Sequence, residues 1–344
     1  MAIRVDIFNE AQSVWDEYVD SSPESANYHR FAWRSVIENS FGHKTFYLCA
    51  KDDAGKIKGV LPLVHMKSIL FGNFMVSLPF FNYGGILCDD EITRQALLEA
   101  AKVKMRERGA SFIELRHFRD CGMGMATKRH KVSMLLELQK DISMQWQAFD
   151  AKLKNQIKKA QKSELTIKIG HLDNLNDFYV IFSRNMRDLG TPVYAKVFFQ
   201  NILKEFPDNT KILTVILKNK AVAAGLATWY KDIFELPWAS SLVSYLPFCP
   251  NDLLYWEAIK YAIENGFKKF DFGRSSLDSG TYRFKEQWGA RPIQLYWQYY
   301  LKEGGVLPEI TPTNPKYQLA VKLWQRLPVW LTNIVGPRIV KDIP

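Results

Sequence analysis

The stretch LLYWEAIKYAIENGFKKFDFGR, residues 253–274, is where the fold can be read. Its first part repeats apolar residues at helical spacing. Gly266 then stands where a helix of L-residues needs a left-handed terminal residue. A short strand follows and ends on Asp271-Phe272-Gly273-Arg274. The same order occurs earlier in LLEAAKVKMRERGASFIELR, residues 97–116, where Gly109 takes the place of Gly266 and the strand ends on Glu114-Leu115-Arg116. Ahead of each helix lies a hairpin pattern. In the first half, TFYLCAK (45–51) turns through DDAG (52–55) into IKGVLPLV (57–64). In the second, KILTVILK (211–218) turns at Asn219 into Ala221–Tyr230, with Gly225 inside it. Each half therefore reads as one or two helices, a hairpin, a further strand, a helix, a strand ending in an acid and an arginine, and a final strand. This is an α+β unit on a mostly antiparallel sheet, repeated once.

The length of 344 residues suits two such domains. With 47% hydrophobic residues the chain can bury two cores, which excludes intrinsic disorder. No apolar run is long enough for a spanning helix. The start MAIRVDIFNEAQ lacks the apolar segment of a secretory signal. Cys49, Cys88, Cys121 and Cys249 are too scattered for a disulfide framework or a zinc ribbon. The histidines His65, His117, His130 and His171 lack i,i+4 spacing, so no metal site is expected. A cytoplasmic protein follows from these readings.

The net charge of +10 is unevenly spread. Between Lys152 and Lys168 stand six lysines and one acid, Glu164. Leu153, Ile157 and Ala160 form the inward stripe of a helix over 150–163, which leaves the lysines on the outer arc. Such a face attracts anions. Phosphate-bearing partners fit it: a nucleotide-linked sugar, coenzyme A, tRNA or an anionic lipid head. No finger, RNP or basic-zipper pattern accompanies it, so sequence-specific DNA binding is not expected.

Four stretches carry a family resemblance: Lys154–Lys162, Pro250–Lys260, Asp271-Phe272-Gly273, and Phe284-Lys285 with Gly289. The repeated unit resembles the GNAT acyltransferase fold, and its tandem form resembles the Fem family of peptidyl and aminoacyl transferases. Tyr28-His29 with Trp33, Phe41-Gly42-His43, Leu78-Pro79-Phe80 and Asn82–Gly85 are similar to the FemAB-like branch found with exopolysaccharide/PEP-CTERM protein-sorting systems. The closing Asn314-Pro315-Lys316 and Leu323–Pro328 fit that branch too. The resemblance implies two GNAT-like domains sharing a cleft, at 1–140 and 141–305, with a tail at 306–344. It implies an acyltransferase acting on an amine of a sugar- or peptide-bearing precursor. No permanently bound cofactor is implied; the donor is an aminoacyl-tRNA or an acyl-CoA. The acceptor is a phosphate-bearing small molecule or a lipid-linked glycan. An acetyl-CoA-dependent acetyltransferase and a non-catalytic RNA- or membrane-binding module remain alternatives.

Acyl transfer to an amine needs a stabiliser for the tetrahedral oxyanion and a place for the donor's phosphates. Lys285 is the candidate stabiliser, beside Phe284, with Asp271 as the third catalytic candidate; a lysine snorkelling over an aromatic is the alternative. His29 and Glu114 are further candidates for a base, against structural roles for both. For substrate contact the candidates are His29, Trp33, Asn82, Tyr83, Arg116, Lys154, Lys158, Trp238, Arg274 and Tyr282. Lys154 keeps the charge of a family arginine without its two-pronged fork. The tail is apolar and basic. It reads as packing on the body, with a peripheral membrane contact through Lys316, Lys322 and Arg326 as the alternative.

Overall fold

A computed structural model describes residues 2–69, 71–308 and 315–343. The chain divides into two compact units. One takes residues 2–131 with 294–308 and 341–343; the other takes 132–293 and 315–340.

The first unit contains β1 (Arg4–Ile7), α1 (Gln12–Ser21), α2 (Trp33–Phe41), β2 (Lys44–Lys51), β3 (Ile57–Ser68), β4 (Gly72–Ser77), β5 (Leu87–Cys88), α3 (Glu91–Glu107), β6 (Phe112–His117) and β7 (Ala126–Lys128). The second contains β8 (Val132–Glu137), α4 (Ile142–Ala148), α5 (Ala151–Lys162), β9 (Thr166–Gly170), α6 (Leu175–Asp188), α7 (Lys196–Glu205), β10 (Thr210–Leu217), β11 (Lys220–Tyr230), β12 (Ile233–Ser241), α8 (Pro250–Glu264), β13 (Lys269–Ser275), α9 (Gly280–Glu286) and β14 (Arg291–Gln294). The chain then forms β15 (Tyr296–Leu301) in the first unit, and α10 (Pro315–Trp324) and α11 (Val329–Val340) in the second.

The two sheets repeat one plan. The first runs β1-β2-β3-β4-β6-β15-β7, with β5 pairing β3. The second, read from its far edge, runs β9-β10-β11-β12-β13-β8-β14. In both, the first four strands are antiparallel neighbours. The fourth pairs in parallel with the fifth, β4 with β6 and β12 with β13. Parallel neighbours need a crossover, and α3 and α8 supply it. Both helices end alike. Gly109 and Gly266 have φ of 61° and 79°. Ala110 N donates to Met105 O as Phe267 N does to Ala262 O. This is the left-handed glycine cap the sequence predicts.

One expectation is corrected. The sequence order places the strand after each Asp- or Glu-bearing strand in its own half, with domains at 1–140 and 141–305. Instead β8, which follows the first half, joins the second sheet beside β13, and β15 joins the first beside β6. Each sheet is completed by a strand from the other stretch of chain. The sixth position is chemically the same in both sheets, a strand antiparallel to the fifth, so hydrophobic pattern alone does not say which strand fills it. In the same way, α10 and α11 belong to the second unit rather than forming a separate tail domain. Asn314 of the closing motif lies outside the described residues.

Candidate active site

In the second sheet β12 and β13 pair only over Ile233–Glu235 and Lys269–Asp271, and both strands continue beyond that. Past the last pair, Glu235 opposite Asp271, the ladder between them stops. On its other side β13 shifts register against β8 between Asp271 and Arg274, and Gly273 in this bulge has φ of 74°. A parted, bulged strand leaves carbonyls without ladder partners, and buried carbonyls need donors. Lys285 supplies them. Its Nζ donates to Gly273 O and Arg274 O, each at 2.9 Å. An ammonium has three N–H groups, so one donor remains. Burial, the main cause, lowers the Lys285 pKa to about 8; the Asp271 carboxylate opposes it, Arg274 adds to it, and Glu235 opposes it.

Asp271 is fully buried. Its Oδ1 accepts from Ser133 Oγ at 2.8 Å and from the Gly273 amide at 2.7 Å. Both donors converge on one carboxylate oxygen, which fixes the side chain where it acts on the Lys285 ammonium. Lys285 stands on α9, whose first turn is capped by the Ser279 hydroxyl, which accepts from Tyr282 N at 3.2 Å. Phe284 packs edge-on against Tyr255, and Tyr282 packs at the margin of the same core.

A cavity of about 430 Å³ opens among α5, the start of α8, and α9. Lys152 and Gln156 line it from α5, Cys249 from the residue before α8, Asp252 from its first turn, and Arg283 and Phe284 from α9. Two cations thus face a helix N-terminus, the arrangement that suits a phosphate or carboxylate group. Asp252 stands in the first turn of α8, and burial raises its pKa to about 6. The lysine helix is as the sequence predicts. Leu153, Ile157 and Ala160 face the core, while Lys152, Lys158, Lys159 and Lys162 are exposed and form no ion pair among the described residues. Lys154 is half-buried and donates to Gln147 O at 3.0 Å. Of this helix's lysines it is Lys152, not Lys154 or Lys158, that reaches the cavity.

The remaining candidates have different surroundings. Trp238 packs edge-on against Phe198 and Phe199 at 5.6 and 5.5 Å, a core contact rather than a pocket wall. In the first unit Arg116 is fully buried. Its Nε donates to Glu114 at 2.7 Å, its Nη1 to Phe81 O at 2.6 Å, and its guanidinium lies 4.2 Å from the Trp297 ring centre. This guanidinium faces protein groups, not a ligand. His29 is buried; its Nδ1 accepts from Ala26 N, and its other ring nitrogen faces Gly85 O. Trp33 donates to Asn27 O at 2.8 Å. The Asn82 carbonyl accepts from Trp297 Nε1, and the Tyr83 ring lies 3.8 Å from that of Phe118. The structure gathers His29, Trp33, Asn82, Tyr83 and Arg116 into packed interior, because the loop carrying Asn82 and Tyr83 folds inward. A side chain at Gly85 would lie 2.3 Å from His117 Nε2.

Sequence reasoning missed Glu235 and Asp252. Glu235 is a lone acid inside Ile-Phe-Glu-Leu (233–236), otherwise apolar, and that was the available signal. Asp252 lies within the Pro250–Lys260 motif, where nothing in the spacing sets it apart.

Residues 147–286 match the family model described as an acetyltransferase (GNAT) domain. No curated protein sequence matches the chain. Among solved structures, FemX superposes with a TM-score of 0.69 at 15% identity, covering 93% of this chain and 100% of its own. A tandem GNAT protein from the clavulanic acid biosynthesis pathway gives 0.55 at 9% identity, covering 89% and 100%. L-PGS from Bacillus licheniformis gives 0.55 at 12% identity, covering 86% and 96%. Together with the repeated sheet plan, these likenesses show that the chain has a duplicated GNAT-like α+β fold.

Proposed function

We propose that the protein is an N-acyltransferase of Fem-like type. It moves an acyl or aminoacyl group from an aminoacyl-tRNA or acyl-CoA donor to an amine of a sugar- or peptide-bearing precursor of the cell envelope or of an exopolysaccharide. The observation that carries this reading is Lys285, a buried cation with one N–H to spare at the point where β12 and β13 separate. The GNAT-domain match, which spans α5 to α9, supports it.

In the reaction the amine nitrogen attacks the donor carbonyl carbon. A C–N bond forms, the carbonyl oxygen becomes an oxyanion, the ester C–O or thioester C–S bond then breaks, and the proton the amine gives up ends on the departing alcohol or thiol. The free Lys285 N–H is the group for that oxyanion, and its low-dielectric setting strengthens the contact. Asp271 and Glu235 help keep the lysine charged against its burial. Phe284 gives the site an apolar wall. Lys152 and Arg283 are the groups for donor phosphates or for an acceptor's phosphate.

The test is a transfer panel. The protein is incubated with acetyl-CoA or charged tRNA and with amine-bearing acceptors, among them a nucleotide-linked muramyl peptide and a glucosamine oligosaccharide, and products are read by mass spectrometry. Acylated acceptor from either donor supports the reading and names the donor. Binding of bulk RNA with steep salt dependence, and no transfer from either donor, would overturn it in favour of a binding module.

A further inference from the structure

We infer that the outer faces of α10 and α11 form a docking surface for an anionic lipid membrane. In α11 the residues Thr332, Gly336 and Val340, spaced by four, are buried. Gly336 seats the helix closely: a side chain there would lie 2.9 Å from the Val193 amide nitrogen. The register that turns these three inward turns Trp330, Ile334 and Arg338 outward, and all three are exposed. Trp330 is 65% exposed and Ile334 53%. In α10 the pair Leu319 and Leu323, again spaced by four, is 65% and 56% exposed, beside exposed Lys322 and Arg326.

Scattered surface leucines need no explanation. Here four large apolar side chains form two i,i+4 pairs on successive helices, and each pair is accompanied by cations. No acidic residue occurs between Pro315 and Lys341. The two helices are also held in place. Arg187 Nη1 donates to Leu327 O at 3.0 Å, Gln325 Nε2 donates to Asp188 O at 3.1 Å, and Val321 packs over Gly190. The surface is therefore fixed to α6, not an unfolded tail that orders on contact.

Its charge selects the occupant. A protein partner of neutral surface would leave Lys322, Arg326 and Arg338 without counter-charges. Acidic lipid heads supply them while acyl chains take the apolar pairs, and tryptophan favours that interface. Among the described residues no helix is long and apolar enough to cross a membrane, so the contact lies in the interface plane. This inference does not depend on the transfer chemistry.

The experiment is flotation of the full-length protein with vesicles of phosphatidylglycerol and phosphatidylcholine in equal parts, and with phosphatidylcholine alone. Wild type should float with the mixed vesicles, less with the neutral ones, and less as salt rises. Trp330→Ser with Ile334→Ser should lower partitioning roughly tenfold or more, with an unchanged melting temperature. Ile92→Ser, which removes an exposed apolar residue on α3, should change nothing. Equal flotation of the double variant, equal loss in Ile92→Ser, or equal flotation with neutral vesicles would overturn the inference. So would a wild-type dimer that the double variant abolishes, with no flotation of either.

Discussion

Glu235 and Asp271 stand opposite one another as the last register pair before β12 and β13 part. Both are buried acids, at 2% and 0% exposure. The Lys285 ammonium is a cation that both of them act on, each favouring its charged form. The corresponding strand of the first sheet carries Glu114, answered by Arg116. The buried acid of the fifth strand is thus answered by a guanidinium from its own strand in one unit and by an ammonium from a following helix, with a spare donor, in the other.

Lys285→Met should lower kcat about 10²–10³-fold and move KM less, because an oxyanion contact is made in the transition state and not with the ground-state carbonyl. Methionine keeps the stem's packing, so circular dichroism should be unchanged. Equal turnover by Lys285→Met would remove the lysine from the chemistry.

Lys285 also predicts a pH dependence of stability. Its folded pKa is lowered to about 8 from an ordinary 10.5. Between these values the unfolded chain holds a proton that the folded chain has released, so stability gains as pH rises. The burial penalty is fully present below about pH 8 and declines above it. Urea melts of wild type and Lys285→Met should therefore converge in wild type's favour as pH rises from about 8 towards 10.5.

Asp252 runs the other way. Its pKa is raised from 3.8 to about 6, so the folded state holds the extra proton between these values and stability falls as pH rises through that window. Asp252→Asn should melt higher than wild type at neutral pH, and the difference should vanish as pH falls towards 4.

Replacing Lys154 and Lys158 together with Ala should raise KM for a phosphate-bearing substrate and flatten its salt dependence, with little change in melting temperature. Lys152→Ala, which removes a cation from the cavity wall, should have the larger effect on KM. A large stability loss with unchanged KM would make the helix purely structural.

Arg116→Ala should destabilise by about 3–5 kcal/mol, because it strands Glu114 as a buried charge without its partner. Adding Glu114→Gln should recover part of that loss. Guanidinium chloride melts of the single and double variants measure both.

Much of the fold was legible because its signals are local. Gly109 and Gly266 cap their helices within one turn, and Leu153, Ile157 and Ala160 mark the inward face of α5 by spacing alone. The strand exchange was not legible, since β8 and β15 carry the same kind of apolar pattern and fit either sheet. At the site, Lys285 was found through its motif, but its two carbonyl partners depend on the Gly273 bulge, which no spacing announces. For Arg116 and His29 the sequence left a structural and a functional reading open: the Glu114 partner is visible two residues away on the same strand, but Phe81 O and Gly85 O, distant in sequence, are what hold the two side chains inside.

The exchanged strands also set an order for biosynthesis. When a ribosome has delivered β1 to β7, the flank of β6 that β15 will occupy is a raw edge, with its amides and carbonyls unanswered. It stays so until residues 296–301 emerge, after nearly all of the second unit has been made. The nascent first sheet must wait through that interval with an open edge, the condition that invites chaperones or mispairing. A gene split after Lys131 would leave the first product without β15, which the second encodes, so the first fragment should not complete its sheet unless both are made together.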